Sequence, residues 1–327
     1  MTVKNPTSPA ASKLSIWAAM LAVYIVWGST YLAIRYGIQT IPPLLMAGLR
    51  FLIAGGILFA WRRLSGDPLP TRRQWRSSAI VGFFLLLGGN GGVVWAEQRV
   101  VSGVAALMVG SAPLWMVLID ALLNRGRPRQ HRPSWITVLG ILLGFVGIAL
   151  LVSPGDLTGL HGQVDPLGAG VLTISAFLWA SGSLYSRSAD LPDSPLLGTA
   201  MEMLCGGAAL LLAGTLGGEW AQFHPAQISA ASLTGVAYLV FFGSLVGYSA
   251  YTWLLRVAPT TLVSTYAYVN PIVAIFLGNL IAGEPLTLRV LLAALVILGA
   301  VAVITLTQPA HGKHAPAEAA AATSGDD

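Results

Sequence analysis

Leu14–Ile34 reads LSIWAAMLAVYIVWGSTYLAI, a stretch without a single charge. As a helix rising 1.5 Å per residue it is about 30 Å long, the thickness of the hydrocarbon layer of a bilayer. Nine comparable runs follow: Leu44–Trp61, Trp75–Ala96, Gly103–Leu122, Ser134–Val152, Leu167–Tyr185, Leu196–Leu216, Leu233–Leu255, Leu262–Ala282 and Leu286–Leu306. Each is long enough to cross. The sequence therefore predicts an all-α integral membrane protein of ten transmembrane helices. Composition agrees, because 55% of the 327 residues are hydrophobic and only 9% are charged. Soluble domains carry roughly 25% charged residues, so a water-facing surface cannot be built from this chain.

The net charge of +5 does not mark a nucleic-acid binder, since the basic residues fall in short clusters between apolar runs. Those clusters set an orientation. With ten spans and a cytoplasmic N-terminus, Lys4, Lys13, Arg62, Arg63, Arg72, Arg73, Arg76, Arg125, Arg127, Arg129, Arg132, Arg187, Arg256 and Lys313 all lie inside. Only Arg35, Arg99 and Arg289 lie outside, and Arg50 falls within a run. The first run is read as an uncleaved helix, since no small-residue cleavage site closes it. Cys205 sits in an apolar run and is expected to be a small buried hydrophobe.

The two halves resemble each other. Val26-Trp27-Gly28-Ser29 matches Leu178-Trp179-Ala180-Ser181 at an offset of 152, and that offset carries Pro43 to Pro195, Arg50 to Glu202 and Gly55 to Gly207. Further on, Arg99-Val100 resembles Arg256-Val257, and Pro113 matches Pro271. A repeat of five helices enters the membrane from opposite sides in its two copies, which makes it an inverted-topology repeat. The expected organisation is a cytoplasmic tail (1–13), a first five-helix unit (14–152), an external linker (153–166), a second unit (167–306) and a disordered cytoplasmic tail (307–327).

Interruptions in the apolar runs point to a site. Gly88, Gly89, Asn90, Gly91 and Gly92 lie at membrane depth in the third run, and Gly243, Ser244 and Gly247 precede Tyr248 in the eighth. Glycine costs about 1 kcal/mol relative to alanine inside a helix. Weak backbone is tolerated in lipid where protein or a wet cavity satisfies it, and its pairing across two repeats marks a binding site. Close helix packing is the alternative. Pro113 and Pro271 would free the carbonyls of Val109 and Ala267 beside Ser111 and Asn270, as hinges or as plain kinks. Arg50 and Glu202 are charges near the midplane, where each costs roughly 2.5–3.5 kcal/mol and needs a partner or a task. They either pair across the repeat axis, or Glu202 takes up a proton, or Arg50 caps carbonyls while Glu202 faces a cavity. Trp27, Trp95, Trp179, Tyr248 and Tyr266, with Ser29, would supply aromatic and polar lining for an amphipathic or cationic solute. Tyr268 cannot share the face of Tyr266.

Trp-Gly-Ser at 27–29, Gly48-Leu49-Arg50-Phe51, Val269-Asn270-Pro271-Ile272 and the turn Gly283-Glu284-Pro285-Leu286 occur in order along two five-helix halves. In this the chain resembles the EamA family of the drug/metabolite transporter superfamily from Leu14 to Leu306, most closely the aromatic amino-acid and paraquat exporter branch. The resemblance implies an inner-membrane carrier exporting small organic solutes such as amino acids, related metabolites or cationic drugs. It also implies peripheral fifth and tenth helices around a central cavity. The first run lacks the carboxylate that the small multidrug-resistance relatives use, which leaves the coupling ion open.

No P-loop, zinc motif or serine–histidine pairing is present, and His131, His161, His224, His311 and His314 fall outside the apolar runs. No cofactor, metal or catalytic residue is expected. A lipid-flipping protein or a membrane sensor is the nearest alternative, and an intramembrane enzyme is more distant. Gly140 and Gly144 have the spacing of a helix-packing motif, for a homodimer or for a neighbouring helix.

Overall fold

The computed structural model describes residues 12–123, 134–152 and 164–307, and among these all regular structure is helical. Eight helices are long and apolar enough to cross a membrane: α1 (Lys13–Gly37), α2 (Pro43–Leu64), α3 (Arg72–Ala96), α4 (Ser102–Leu123), α5 (Trp135–Val152), α6 (Pro166–Ser186), α7 (Pro195–Leu216) and α8 (Ala230–Val257). Two further apolar helices complete the bundle, α9 (Tyr266–Ala282) and α10 (Leu288–Thr307). The run from Leu262 is thus shorter as a helix than the sequence suggests. A separate turn of helix, Thr260–Val263, precedes α9. Arg125, Arg127, Arg129, Arg132, Lys4 and Lys313 lie outside the described residues, as do His131, His161, His311, His314 and nearly all of both tails and the linker.

Local chemistry sets the helix starts. Pro43 and Pro195, the repeat-matched prolines, occupy the first turns of α2 and α7, where a missing N–H costs nothing. Ser194 caps α7, Asp165 caps α6 through the N–H of Gly168 at 2.6 Å, and Thr71 forms a capping box with Gln74 at α3.

The helices pack in a pattern that follows the repeat. α2 lies along α7, α4 along α9 and α5 along α10, while α1 meets α8 and α3 meets α6. Glycine allows the closest of these contacts. A Cβ on Gly55 would stand 2.9 Å from Cβ of Met203, and one on Gly207 would stand 3.0 Å from the backbone nitrogen of Leu52. The matched glycines therefore mark one helix crossing. Gly140 abuts Ile304 of α10 and Gly144 abuts Leu114 of α4, so both are used inside the chain. Leu142, Val146, Phe276, Leu280 and Leu295 point outward into what would be lipid.

Gly207→Ala is expected to lower the thermal midpoint of the detergent-purified protein, at a cost of about 1–3 kcal/mol from overpacking. Gly56 has open space around it, so Gly56→Ala leaves the midpoint unchanged or raises it.

Candidate functional site

Three helices depart from the regular α spacing. Val23–Trp27 in α1, Phe83–Gly91 in α3 and Leu239–Tyr248 in α8 are wound as π-helix, with an extra residue per hydrogen-bonded turn. Such segments are rare and concentrate at functional sites. All three contribute to the wall of one cavity of about 60 Å³.

Trp27, Thr30 and Tyr31 of α1, Arg50 and Phe51 of α2, Gly89 and Asn90 of α3, Val109 of α4, Ser175 and Trp179 of α6, Gly243 and Tyr248 of α8, and Tyr266 and Asn270 of α9 form its wall. The wall is apolar and aromatic for the greater part, with a few polar groups converging on it, as small-molecule sites require. Arg50 is 3% exposed and donates from Nε to Oγ of Ser244 at 2.8 Å. Its Nη1 has no hydrogen-bond partner among the described residues. The side-chain oxygens of Asn90 and Asn270 are likewise buried without one.

One wall of the cavity is an aromatic cluster. Trp27 lies 5.6 Å from Trp179, 4.8 Å from Tyr251 and 5.6 Å from Tyr266, centroid to centroid. Beyond it lies a second cavity of about 460 Å³, lined by Glu202, Tyr248, Tyr251, Thr252, Arg187 and Arg256. Tyr248 borders both spaces. Its hydroxyl donates to Glu202 Oε2 at 2.8 Å.

Arg50 and Glu202 do not pair with each other. They contact Ser244 and Tyr248, which are four residues apart on α8 and so lie on one face. The two charges are joined through a helix rather than by a salt bridge.

The end of the bundle away from Arg187 and Arg256 is closed by carboxylates. Glu219 accepts from the N–H groups of Leu44 (3.1 Å) and Leu45 (2.8 Å) at the start of α2. Glu284 accepts from those of Ser102 (3.0 Å) and Gly103 (3.1 Å) at the start of α4 and pairs with Arg35 at 2.5 Å. Each holds a positive helix terminus of the first half from a turn of the second.

Among the residues singled out from sequence, Trp27, Asn90, Trp179, Tyr248, Tyr266, Asn270, Arg50 and Gly89 reach the central cavity and Glu202 the second. Ser29 instead bonds the hydroxyl of Tyr238 at 2.6 Å. Trp95 lies under Arg99, 5.3 Å from its guanidinium carbon. Ser111 is fully buried and donates to the carbonyl of Met108. Pro113 sits in the first turn after a break at Gly110–Ser111, whereas Pro271 lies inside α9. Gly88 packs on Leu178, Gly91 on Leu210 and Gly92 on Ser175, so these three serve helix contact. Tyr31, Thr30 and Ser175 were not singled out, and Ser244, noted as part of the interruption in the eighth run, turns out to hold Arg50. Tyr31 and Ser175 each stand four residues from a cavity tryptophan, and that spacing is the signal that finds them.

The sequence profile of the EamA-like transporter family matches this chain twice, over residues 14–153 and 166–306. The Escherichia coli (strain K12) protein named "Uncharacterized inner membrane transporter YedA" is 40% identical over 294 residues, which cover 90% of this chain and 91% of that protein. A chloroplastic WAT1-related protein of Arabidopsis thaliana is 23% identical, covering 89% and 70%. A crystal structure with 22% identity superposes with a TM-score of 0.62 over 91% of this chain and 99% of that one, a likeness of fold.

Ser244→Ala leaves the Arg50 Nε–H buried without its acceptor and is expected to cost about 1–3 kcal/mol. Thermal unfolding in detergent would show it as a lowered midpoint. Thr234→Ala, which removes an exposed hydroxyl bonded only to its own helix, should leave the midpoint in place.

Proposed function

Since the chain belongs to the EamA-like transporter family and is a multi-pass inner-membrane protein, we propose that it is a secondary carrier exporting small organic solutes by alternating access. Ten spans in two inverted five-helix units, 14–152 and 167–306, would surround the site, with α9 and α10 completing the second unit. The units meet at the central cavity. The larger cavity opens on the arginine-rich end, which the distribution of basic residues makes cytoplasmic. The carboxylate contacts of Glu219 and Glu284 then close the external side.

What supports this reading is a cavity lined by aromatic and polar groups, with the cluster of Trp27, Trp179, Tyr251 and Tyr266 between it and the second cavity and the Glu284–Arg35 pair toward the opposite end of the bundle. A carrier needs two such barriers that open in turn. The lining also ranks the cargo. Arg50 brings a buried positive charge with a free donor, which suits a carboxylate, and the indole and phenol faces suit an apolar or aromatic body. Amino acids and related organic acids fit these groups better than bare cations do. Family membership favours a transporter over an enzyme, and export as the direction follows from the family resemblance.

Proteoliposomes loaded with labelled amino acids or organic cations, with and without a pH gradient, test this. Arg50→Gln should reduce transport of a carboxylate-bearing substrate roughly ten- to hundredfold, the equivalent of one lost charged hydrogen bond of about 1.5–3 kcal/mol. Trp179→Ala and Asn90→Ala on other helices should also impair it. Losses confined to one nucleophile and its base would instead mark an enzyme, and transport of lipid alone would mark a flippase.

A further inference from the structure

The larger cavity, about 460 Å³, lies between α3, α6, α7 and α8 and carries charge of both signs. Glu202 stands about 10 Å below the start of α7, at 1.5 Å per residue, and is 4% exposed. Arg187, Asp193 and Arg256 line the same space and are exposed, so they mark its mouth. Arg256 is committed to the protein. Its Nη1 donates to the carbonyls of Pro192 and Asp193, at 3.2 Å each, and its Nη2 lies 3.2 Å from where a Cβ on Gly198 would stand. The side chain of Arg187 makes neither a hydrogen bond nor an ion pair among the described residues. With Asp193 offsetting one of the two guanidiniums, the mouth keeps one positive charge and the depth one negative charge.

Glu202 also makes no ion pair among the described residues, and the donor it has is a neutral one, the Tyr248 hydroxyl at 2.8 Å from Oε2. A carboxylate at membrane depth is costly without a cationic partner, and the cavity is the space from which one can reach it.

We infer that this cavity is a second binding site, separate from the central one, for a solute that carries both an ammonium and a carboxylate group. The ammonium sits on Glu202 and the carboxylate on Arg187. The inference rests on the carrier reading above and adds to it a step of selection ahead of the central cavity. A bare organic cation meets uncompensated guanidinium at the mouth, and a plain organic acid leaves Glu202 without a partner. A zwitterion satisfies both ends. An N–H···O bond between two charged groups is roughly twice as strong as one between neutral groups, so the ammonium displaces the Tyr248 hydroxyl. Tyr248 borders both cavities. Freeing it loosens the wall between them, and Arg50 on the far side is the next partner for the carboxylate.

Thiol labelling reads occupancy of this cavity without transport. Ala189 lines it, and Ala189→Cys in a Cys205→Ala background is labelled with N-ethylmaleimide in detergent. The probes are L-phenylalanine, phenethylamine and 3-phenylpropanoate, which share one ring and differ in charge. L-Phenylalanine should slow labelling, and the other two at equal concentration should not. Glu202→Gln should abolish that protection, and Arg187→Gln should raise the half-protecting concentration roughly tenfold or more, as the loss of one charged hydrogen bond does. Tyr248→Phe, which removes the competing hydroxyl, should lower it. Arg50→Gln, in the other cavity, should leave protection in place. Equal protection by phenethylamine, none by L-phenylalanine, or protection that survives Glu202→Gln or is lost in Arg50→Gln overturns the inference. If Glu202→Gln does not fold, an unchanged half-protecting concentration in Arg187→Gln overturns it equally. Protection in a protein that moves nothing across proteoliposomes refutes only the carrier, whereas transport of L-phenylalanine without protection refutes only this site.

Discussion

Hydrocarbon offers no hydrogen bonds, and that constraint organises this molecule. Every donor and acceptor at membrane depth has to be satisfied by the protein or grouped where water and solutes reach it. The outward faces of α5, α9 and α10 accordingly carry leucine, valine and phenylalanine, while Arg50, Glu202, Asn90 and Asn270 turn inward. The polar groups cluster because lipid leaves them no alternative. A cavity bordered by α1, α2, α3, α4, α6, α8 and α9 is the result, with α5 and α10 packed on each other outside it.

That constraint also governs what could be read from the chain beforehand. Membrane runs are visible because length and apolarity alone define them, so the helices came through to within a few residues, with α9 shortened by the break before Tyr266. Which face of a helix points inward is less visible. All-round apolarity erases the amphipathic signal that orients helices in water. Ser29, Trp95 and Ser111 look like cavity residues by type and depth, yet a rotation of a quarter turn takes each of them to another neighbour. Trp27 and Trp179, matched by the repeat offset, both reach the cavity, whereas Ser29 of the same match turns to Tyr238. Arg50 and Glu202 were conspicuous as charges, but their partners were not. Ser244 and Tyr248 are ordinary residues until α8 is seen to pass between the charges.

The loops hid most. Glu219 and Glu284 sit in turns that read as boundaries, and their action is on the first turns of α2 and α4, over 170 residues away in each case. Nothing in local sequence announces a contact of that separation. The two contacts are nevertheless of one kind, a carboxylate from the second half on a helix N-terminus of the first. A carboxylate on free N–H groups is a strong, charge-assisted interaction, but it is made with only two backbone groups and breaks as a unit. It suits a closure that has to be both firm and reversible.

The barrier that the carrier reading assigns to the arginine-rich end is of a different nature. Four aromatic rings in edge and tilted contact, 4.8–5.8 Å apart, seal by shape, and a ring can rotate without leaving a charge unpaired. Two of the three π-wound segments end at members or neighbours of that cluster, Trp27 in α1 and Tyr248 in α8. Weak winding there lets backbone move at small cost, whereas the glycine-packed contact of α2 with α7 is close and resists sliding. Compliance therefore sits next to the aromatic seal and rigidity at the crossing behind it. In such an arrangement a ligand that engages Arg50 also strains the Ser244 contact, and through α8 the hydroxyl of Tyr248 on Glu202. On the carrier reading, cargo in the central cavity and the Glu202 carboxyl in the second would be coupled through α8, whose Tyr248 borders both spaces.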